Sequence, residues 1–404
     1  MMRGVYFEKH GKVKEVLRLG DIPKPLETEL APGELLIQVF AGALNPADYK
    51  STEGEQKLLL NFHWPRQYGF DFSGIVIAIN GHDTFQPNYT GTKSKLDKVA
   101  VAAAGKFSPG DKVFGMIGTL PMKHRGTIAE YLIVEADMCA KCPPNLSHIE
   151  CAAVPLVALT AELMFSSCKL KESDNAGGET IRKILILGGS GGVGSIAIQM
   201  AKHKYQPCHV TTTASLRKRD LLLQLGSDEV VDYSKEAFEK FVEENKDSFD
   251  IILDCVGDAA KCVPLLKVDG GMASIQAGHT QSTLVNWITQ NKLAQDGQVV
   301  TKLVPAFLHS KMGCVVGLFT GGWSLEKACK AKNAHFSSVI ATGNGEKLEK
   351  VAQLLHEGHL KPVVDHVFKF SDALDAIFYH RAGRLEKVGK VVVEIVSEES
   401  STIP

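Results

Sequence analysis

The sequence has no excess of charge, no long apolar run and no ordered set of cysteines. Lys and Arg number 45 against 46 Asp and Glu, a formal net charge of −1. A balance that close gives no broad electrostatic reason to bind nucleic acid or an anionic membrane. No apolar run reaches the ~18 residues that a membrane-spanning helix needs. The nine cysteines, at 139, 142, 151, 168, 208, 255, 262, 314 and 329, are odd in number and dispersed. That argues against a disulfide framework and fits a reducing compartment. Cys139 and Cys142 form an isolated C-x-x-C beside Pro143-Pro144, with no second pair of ligands at a workable spacing for zinc. The start, Met1 to Phe7, runs almost directly into a strand, so no presequence is expected. The final Ser-Thr-Ile-Pro carries no lipidation or peroxisomal signature. A cytoplasmic protein is expected.

What is present reads as two domains, since 404 residues exceed one ordinary core. Residues 1–150 look all-β, with apolar runs at Glu34–Phe40, Gly74–Ile79, Lys112–Met116 and Ile128–Val134 parted by Gly, Pro and Asp. A polar stretch from Asn80 to Gly105 is too long for an ordinary connection and reads as an insertion, with a short strand near Val99–Ala103. From Cys151 the pattern changes to alternating strands and helices, beginning with a strand at Lys183–Leu187 and a helix at Gly192–Lys202. Such alternation predicts a parallel, doubly wound sheet. The segment 280–335 is less legible; strand-like Phe336–Ile340 and a helix at Glu346–Glu357 follow it. The expected division is 1–155, 156–345 and a tail, 346–404, returning to the first domain.

The sharpest local signal follows the Lys183–Leu187 run: Gly188-Gly189-Ser190-Gly191-Gly192-Val193-Gly194. Within it, Gly189-x-Gly191-x-x-Gly194 stands between a strand and a helix. The first glycine permits a tight turn, the second lets backbone approach a pyrophosphate, and the third packs helix on strand. The helix start supplies free N–H groups and the positive end of a dipole. A dinucleotide is expected. An acid about 20 residues on would select NAD by holding the ribose hydroxyls. Here the second strand ends in Thr211-Thr212-Thr213-Ala214-Ser215-Leu216-Arg217-Lys218-Arg219, with no acid before Asp220. Hydroxyls and cations suit a 2′-phosphate, so NADPH is the expected cofactor.

Taken in order, further motifs give the chain a family likeness. They include Asn45-Pro46-Ala47-Asp48-Tyr49-Lys50, Gly69-Phe70-Asp71-Phe72-Ser73-Gly74 and Phe107-Ser108-Pro109-Gly110-Asp111. Gly126 to Tyr131, Ala153 to Ala161, Gly188 to Gly194, Leu225 to Tyr233 and Asp250 to Gly257 complete the set. The chain resembles the medium-chain dehydrogenase/reductase superfamily, in its quinone oxidoreductase branch. The Asn-Pro-x-Asp-x-Lys form is nearest to chloroplast-envelope-type quinone oxidoreductase homologues and enone reductases. The resemblance implies an α/β protein: a GroES-like β-barrel catalytic domain, closed by the C-terminal tail, and a Rossmann domain, with the cofactor cleft between them. It implies that Asn45 and Thr160 flank the nicotinamide, and that Tyr233 with Ser215 and Lys218 surrounds the 2′-phosphate, to which the charge pattern adds Arg217. The Cys255-Val256 turn and Gly278 would line the rest of the cofactor. Zinc-dependent relatives carry Cys where Asn45 stands and His-Glu where Phe70-Asp71 stand, so no metal is expected.

The expected chemistry is hydride transfer to a quinone or an α,β-unsaturated carbonyl, with an enoyl-thioester as a narrower variant. The cofactor carries the hard step. The oxyanion that forms needs a donor or a proton, for which Tyr49, Lys50 and water are the candidates. Each has a plain alternative: Tyr49 as wall packing, Lys50 in a surface ion pair, Asn45-Pro46 as a turn. A non-catalytic NADPH-binding regulator stays open beside the enzyme. The Rossmann strand near Phe336 would be an open edge, through which a homodimer is expected.

Overall fold

The computed structural model describes residues 1–54, 64–80, 102, 104–118, 126–168, 181–276, 324–383 and 387–397. The chain divides into two compact units: Met1–Leu159 with Thr342–Pro404, and Thr160–Ala341. Most of the Asn80–Gly105 stretch and of 280–335, and almost all of the strand suggested at Val99–Ala103, lie outside the described residues.

In the first unit the Glu34–Leu44 strand is the organiser. Its side chains are buried along nearly its whole length, which suits a strand covered on both faces. It pairs antiparallel with Asp71–Ile79 on one side and Lys390–Glu394 on the other. The sheet runs Val364–Lys369, Lys390–Glu394, Glu34–Leu44, Asp71–Ile79, Lys112–Met116, Cys139–Lys141, with Tyr131–Glu135 also paired to Glu34–Leu44. A smaller sheet joins Arg18–Ile22, Met2–Phe7 and Arg66–Gln67. Both ends of the chain meet in one core, where Val5, Phe7, Tyr68 and Ile128 pack with Phe370, Ile377, Val391 and Val393. Each such apolar side chain contributes roughly 1.5–3 kcal/mol by leaving water.

This unit is not all-β. A helix spans Pro46–Glu53, and the reason is local. Pro46 sits at the first helical position, where a missing N–H costs nothing. The Asp48 carboxylate accepts the Asn45 N–H at 2.5 Å, and Gly54, at φ 90°, closes the helix in the left-handed region. Asn45-Pro46 is thus a helix start and not a free turn.

The second unit holds a six-stranded parallel sheet in the order Glu229–Asp232, Cys208–Ala214, Arg182–Leu187, Phe249–Asp254, Leu266–Ser274, His335–Ser338. This is the order of a dinucleotide fold, reversing direction at the first strand. Ile184 to Leu187 are fully buried, as befits the central strand. The Lys235–Glu244 helix buries Phe238 and Phe241 against Phe249 and leaves its charged residues outside. His335–Ser338 is the edge strand among the described residues.

Candidate functional site

The glycine turn joins the central strand to the Gly192–Lys204 helix. Its glycines serve different ends. Gly188 has φ 78°, and a Cβ there would lie 2.4 Å from Val256. A Cβ on Gly189 would lie 2.1 Å from the Thr212 hydroxyl, and one on Gly194 2.3 Å from the Gly188 carbonyl oxygen. These three are required by the fold's own packing. Gly191 is different: it is exposed, and its Cβ would meet only the Gly188 oxygen, at 3.4 Å. Its backbone is extended (φ −79°, ψ 173°), which any residue adopts. Nothing among the described residues demands a glycine there, so the backbone at Gly191 is left open to close approach.

Beside this turn the parallel register sets Ala214 opposite Asp232, so Ser215 and Tyr233 leave adjacent strands side by side. The Ser215 hydroxyl is buried with no hydrogen-bond partner among the described residues, an uncompensated cost unless a ligand takes it up. Lys218 reaches back to the Ser190 hydroxyl at 3.3 Å, tying the basic turn to the glycine turn. Arg217 and Tyr233 are exposed. The Cys255-Val256-Gly257 turn is held from beneath by Asp254. Its carboxylate accepts the N–H groups of Val256, Gly257, Asp258 and Ala259 and the Ser274 hydroxyl. Burial pushes the Cys255 thiol above its ordinary value, which disfavours the thiolate. Gly278 lies outside the described residues. An open cradle, an unsatisfied hydroxyl and a cation at the mouth fit a dinucleotide phosphate.

In the first unit, Asn45 lies in a buried polar cluster. Its Nδ2 donates to Asp71 Oδ2 at 2.9 Å and to the Ala43 carbonyl at 3.3 Å, and its Oδ1 accepts from Lys390 Nζ. Lys390 also donates to Asp71 Oδ2 at 3.1 Å. The other Asp71 oxygen accepts the Leu156 N–H at 2.9 Å, at the start of the Pro155–Ser167 helix. Burial pushes the Asp71 carboxyl up, against the pull of Lys390 and Asn45. Asp48, whose carboxylate holds Asn45's backbone, is pushed up to about 8 by burial, against that hydrogen bond and the charge of Lys390.

The sheet register assembles this cluster. Val391 pairs with Leu44 and Asp71 with Ala43, so Lys390 and Asp71 arrive on either side of Asn45. Lys390 was not among the sequence candidates. Its signal was a cation opening the otherwise apolar run Val391-Val392-Val393. Tyr49 and Lys50 stand on the Pro46–Glu53 helix. The Tyr49 ring packs 5.9 Å from His380, with the Arg381 guanidinium 4.7 Å from its centre. Thr160, buried on the Pro155–Ser167 helix, belongs to the second unit. The C-x-x-C cysteines diverge: Cys139 donates to the Glu135 carbonyl, while Cys142 faces Ser73.

Residues 31–144 match the alcohol dehydrogenase GroES-like domain family, and 225–393 the zinc-binding dehydrogenase family. A 2-methylene-furan-3-one reductase from Solanum lycopersicum is 30% identical over 398 residues, 97% of this chain and 79% of the relative. An NADPH-dependent alkenal/one oxidoreductase, chloroplastic, from Arabidopsis thaliana is 27% identical over 97% of this chain and 79% of its own. Among solved structures, the quinone oxidoreductase from Coxiella burnetii superposes with a TM-score of 0.68 at 24% identity, over 98% of this chain and 99% of that one. At that identity the likeness speaks for the fold.

Proposed function

From the premise that the chain belongs to the medium-chain dehydrogenase/reductase superfamily, in its quinone oxidoreductase-like branch, we propose an NADPH-dependent reductase. Its acceptors are quinones or α,β-unsaturated carbonyls. The observation that carries this reading is the glycine turn, where Gly191 is open to a ligand while its neighbouring glycines are closed by the fold. The relatives' names, a furanone reductase and an alkenal/one oxidoreductase, support the acceptor class.

The nicotinamide supplies the hydride when bound. The protein's part is to bind and orient. The N–H groups of Gly192 and Val193, in the first turn of their helix, would take the pyrophosphate. Ser215, Arg217, Lys218 and Tyr233 would take the 2′-phosphate, which favours NADPH over NADH. Asn45 and Thr160 keep the nicotinamide-side roles that the resemblance implies. Lys218→Glu is expected to weaken NADPH binding roughly 10- to 100-fold, the loss of one charge-assisted hydrogen bond, and to leave NADH binding nearly unchanged. Fluorescence titration with both nucleotides checks this, and equal losses for the two would refute the assignment.

A metal-free site is part of the proposal. The donor set at Asn45, Phe70 and Asp71 is an amide, a phenyl ring and a carboxylate already held by an ammonium, which does not suit zinc. Alcohol oxidation needs a metal or a tuned base to take the hydroxyl proton. Conjugated acceptors are activated by their own electrons and need chiefly a hydride donor held near contact distance. NADPH oxidation against quinones, enals and enoyl-thioesters, before and after exhaustive chelation, tests the reading. Turnover of a conjugated acceptor that survives chelation is expected. Faster oxidation of a plain alcohol with NADP⁺, or zinc near one per chain, would overturn it. Tight NADPH binding without any turnover would favour a non-catalytic regulator.

A further inference from the structure

The partners of Asn45 decide which way its amide points. The two ends of an amide are alike in shape, but Lys390 only donates and the Asp71 carboxylate only accepts. The oxygen therefore faces Lys390 and the nitrogen faces Asp71. The second Nδ2 hydrogen goes to the Ala43 carbonyl. Among the described residues both amide hydrogens are spent, and one oxygen lone pair remains. Asn45 can still receive a hydrogen bond but has none to give.

We propose that Lys390 and Asp71 are positioning residues that lock the Asn45 amide as an acceptor. Asn45 then presents one oxygen lone pair at the reacting end of the site and has no N–H to give the oxygen of the substrate. This rests on the reductase reading above.

The lock depends on charge. Asp48, Arg66 and His380 are the other titratable groups that bear on this cluster. Without the Lys390 ammonium, Asp71 would be a buried carboxylate with no cation of its own, and burial would drive it to take up a proton. A protonated Asp71 can donate as well as accept, so the amide would be free to turn over. Lys390→Met should therefore lose rate rather than cofactor affinity, and its rate should become pH-dependent.

The test compares wild type, Lys390→Met and Lys390→Arg, measuring kcat, KM and NADPH affinity from pH 6 to 9. In Lys390→Met, kcat is expected to fall roughly 10- to 100-fold, with the NADPH dissociation constant within about 2-fold of wild type. Lys390→Arg, which can still donate to both oxygens, should recover most of that loss. Unchanged kcat, or an affinity loss as large as the rate loss, would overturn the proposal. A second readout needs no turnover: NMR exchange of the Asn45 side-chain amide after selective ¹⁵N-asparagine labelling. Slow exchange in wild type supports the lock, and fast exchange refutes it even if Lys390→Met fails to fold. If wild type reduces no acceptor, the reductase reading fails while the exchange measurement still judges the lock.

Discussion

Gly191→Val is expected to give a folded protein that no longer binds a dinucleotide, whereas Gly194→Val is expected to destabilise the fold itself. The contrast follows from what each added carbon would meet. At Gly194 it lies 2.3 Å from the Gly188 oxygen and 2.6 Å from the Gly189 Cα, both backbone atoms of the central turn. Neither can step aside without opening the strand–helix junction, and overpacking of this kind costs about 1–3 kcal/mol or more. Against a total stability of roughly 5–15 kcal/mol, that is a large share. At Gly191 the single contact, at 3.4 Å, is ordinary van der Waals distance. The valine then occupies the space through which backbone would approach a pyrophosphate. A loss of more than about 100-fold in nucleotide affinity, near 2.7 kcal/mol, should appear in titration while the thermal midpoint stays close to wild type. Retained binding in Gly191→Val would show that the open cradle is not where the nucleotide sits.

The second large effect is expected from pH. An unfolded aspartate titrates near 4, whereas Asp48 in the folded chain is pushed up to about 8. Between these values the folded protein binds a proton that the unfolded chain does not. Stability should therefore fall as pH rises from about 4 towards 8, and level off above that. Each unit of that window is worth up to about 1.4 kcal/mol, so the total slope amounts to several kcal/mol. Asp48→Asn should flatten it and be more stable than wild type at pH 8. The asparagine oxygen can still accept the Asn45 N–H. Its new N–H₂ would face a cavity of about 10 Å³ lined also by Ser51, Gln67 and Tyr68. All three carry a buried polar atom with no hydrogen-bond partner among the described residues. Chemical denaturation of both proteins at pH 5 and pH 8 checks this. A variant with the same pH dependence as wild type would show that Asp48 is not the group responsible.

The two sites were legible to different degrees. The glycine turn could be read because strand, turn and helix are contiguous, and its chemistry lies within about a dozen residues. The absence of an acid after Thr213 was legible for the same reason. The helix at Pro46–Glu53 was equally local. Its signals, Pro at the first position, Asp at the third and Gly54 at the end, were on the page, but they stood among strand-like runs and were absorbed into an all-β reading. Their meaning changes once Asp48 is seen holding Asn45's backbone.

The Asn45 cluster could not be read that way. Lys390 and Asn45 are 345 residues apart, and Asp71 is 26 residues from Asn45. Nothing in either neighbourhood names the other. What joins them is the register of three antiparallel strands, and a slip of one residue would turn Lys390 to the opposite face. Alternating apolar residues and turn signals are properties of the chain, so the fold class and the glycine turn were determined before any folding. Which charges are buried together, which way an amide points and which carboxyl keeps its proton are properties of packed neighbours. Those were decided only when the last strand closed against the first sheet, because desolvation and pairing exist only once the partners have met.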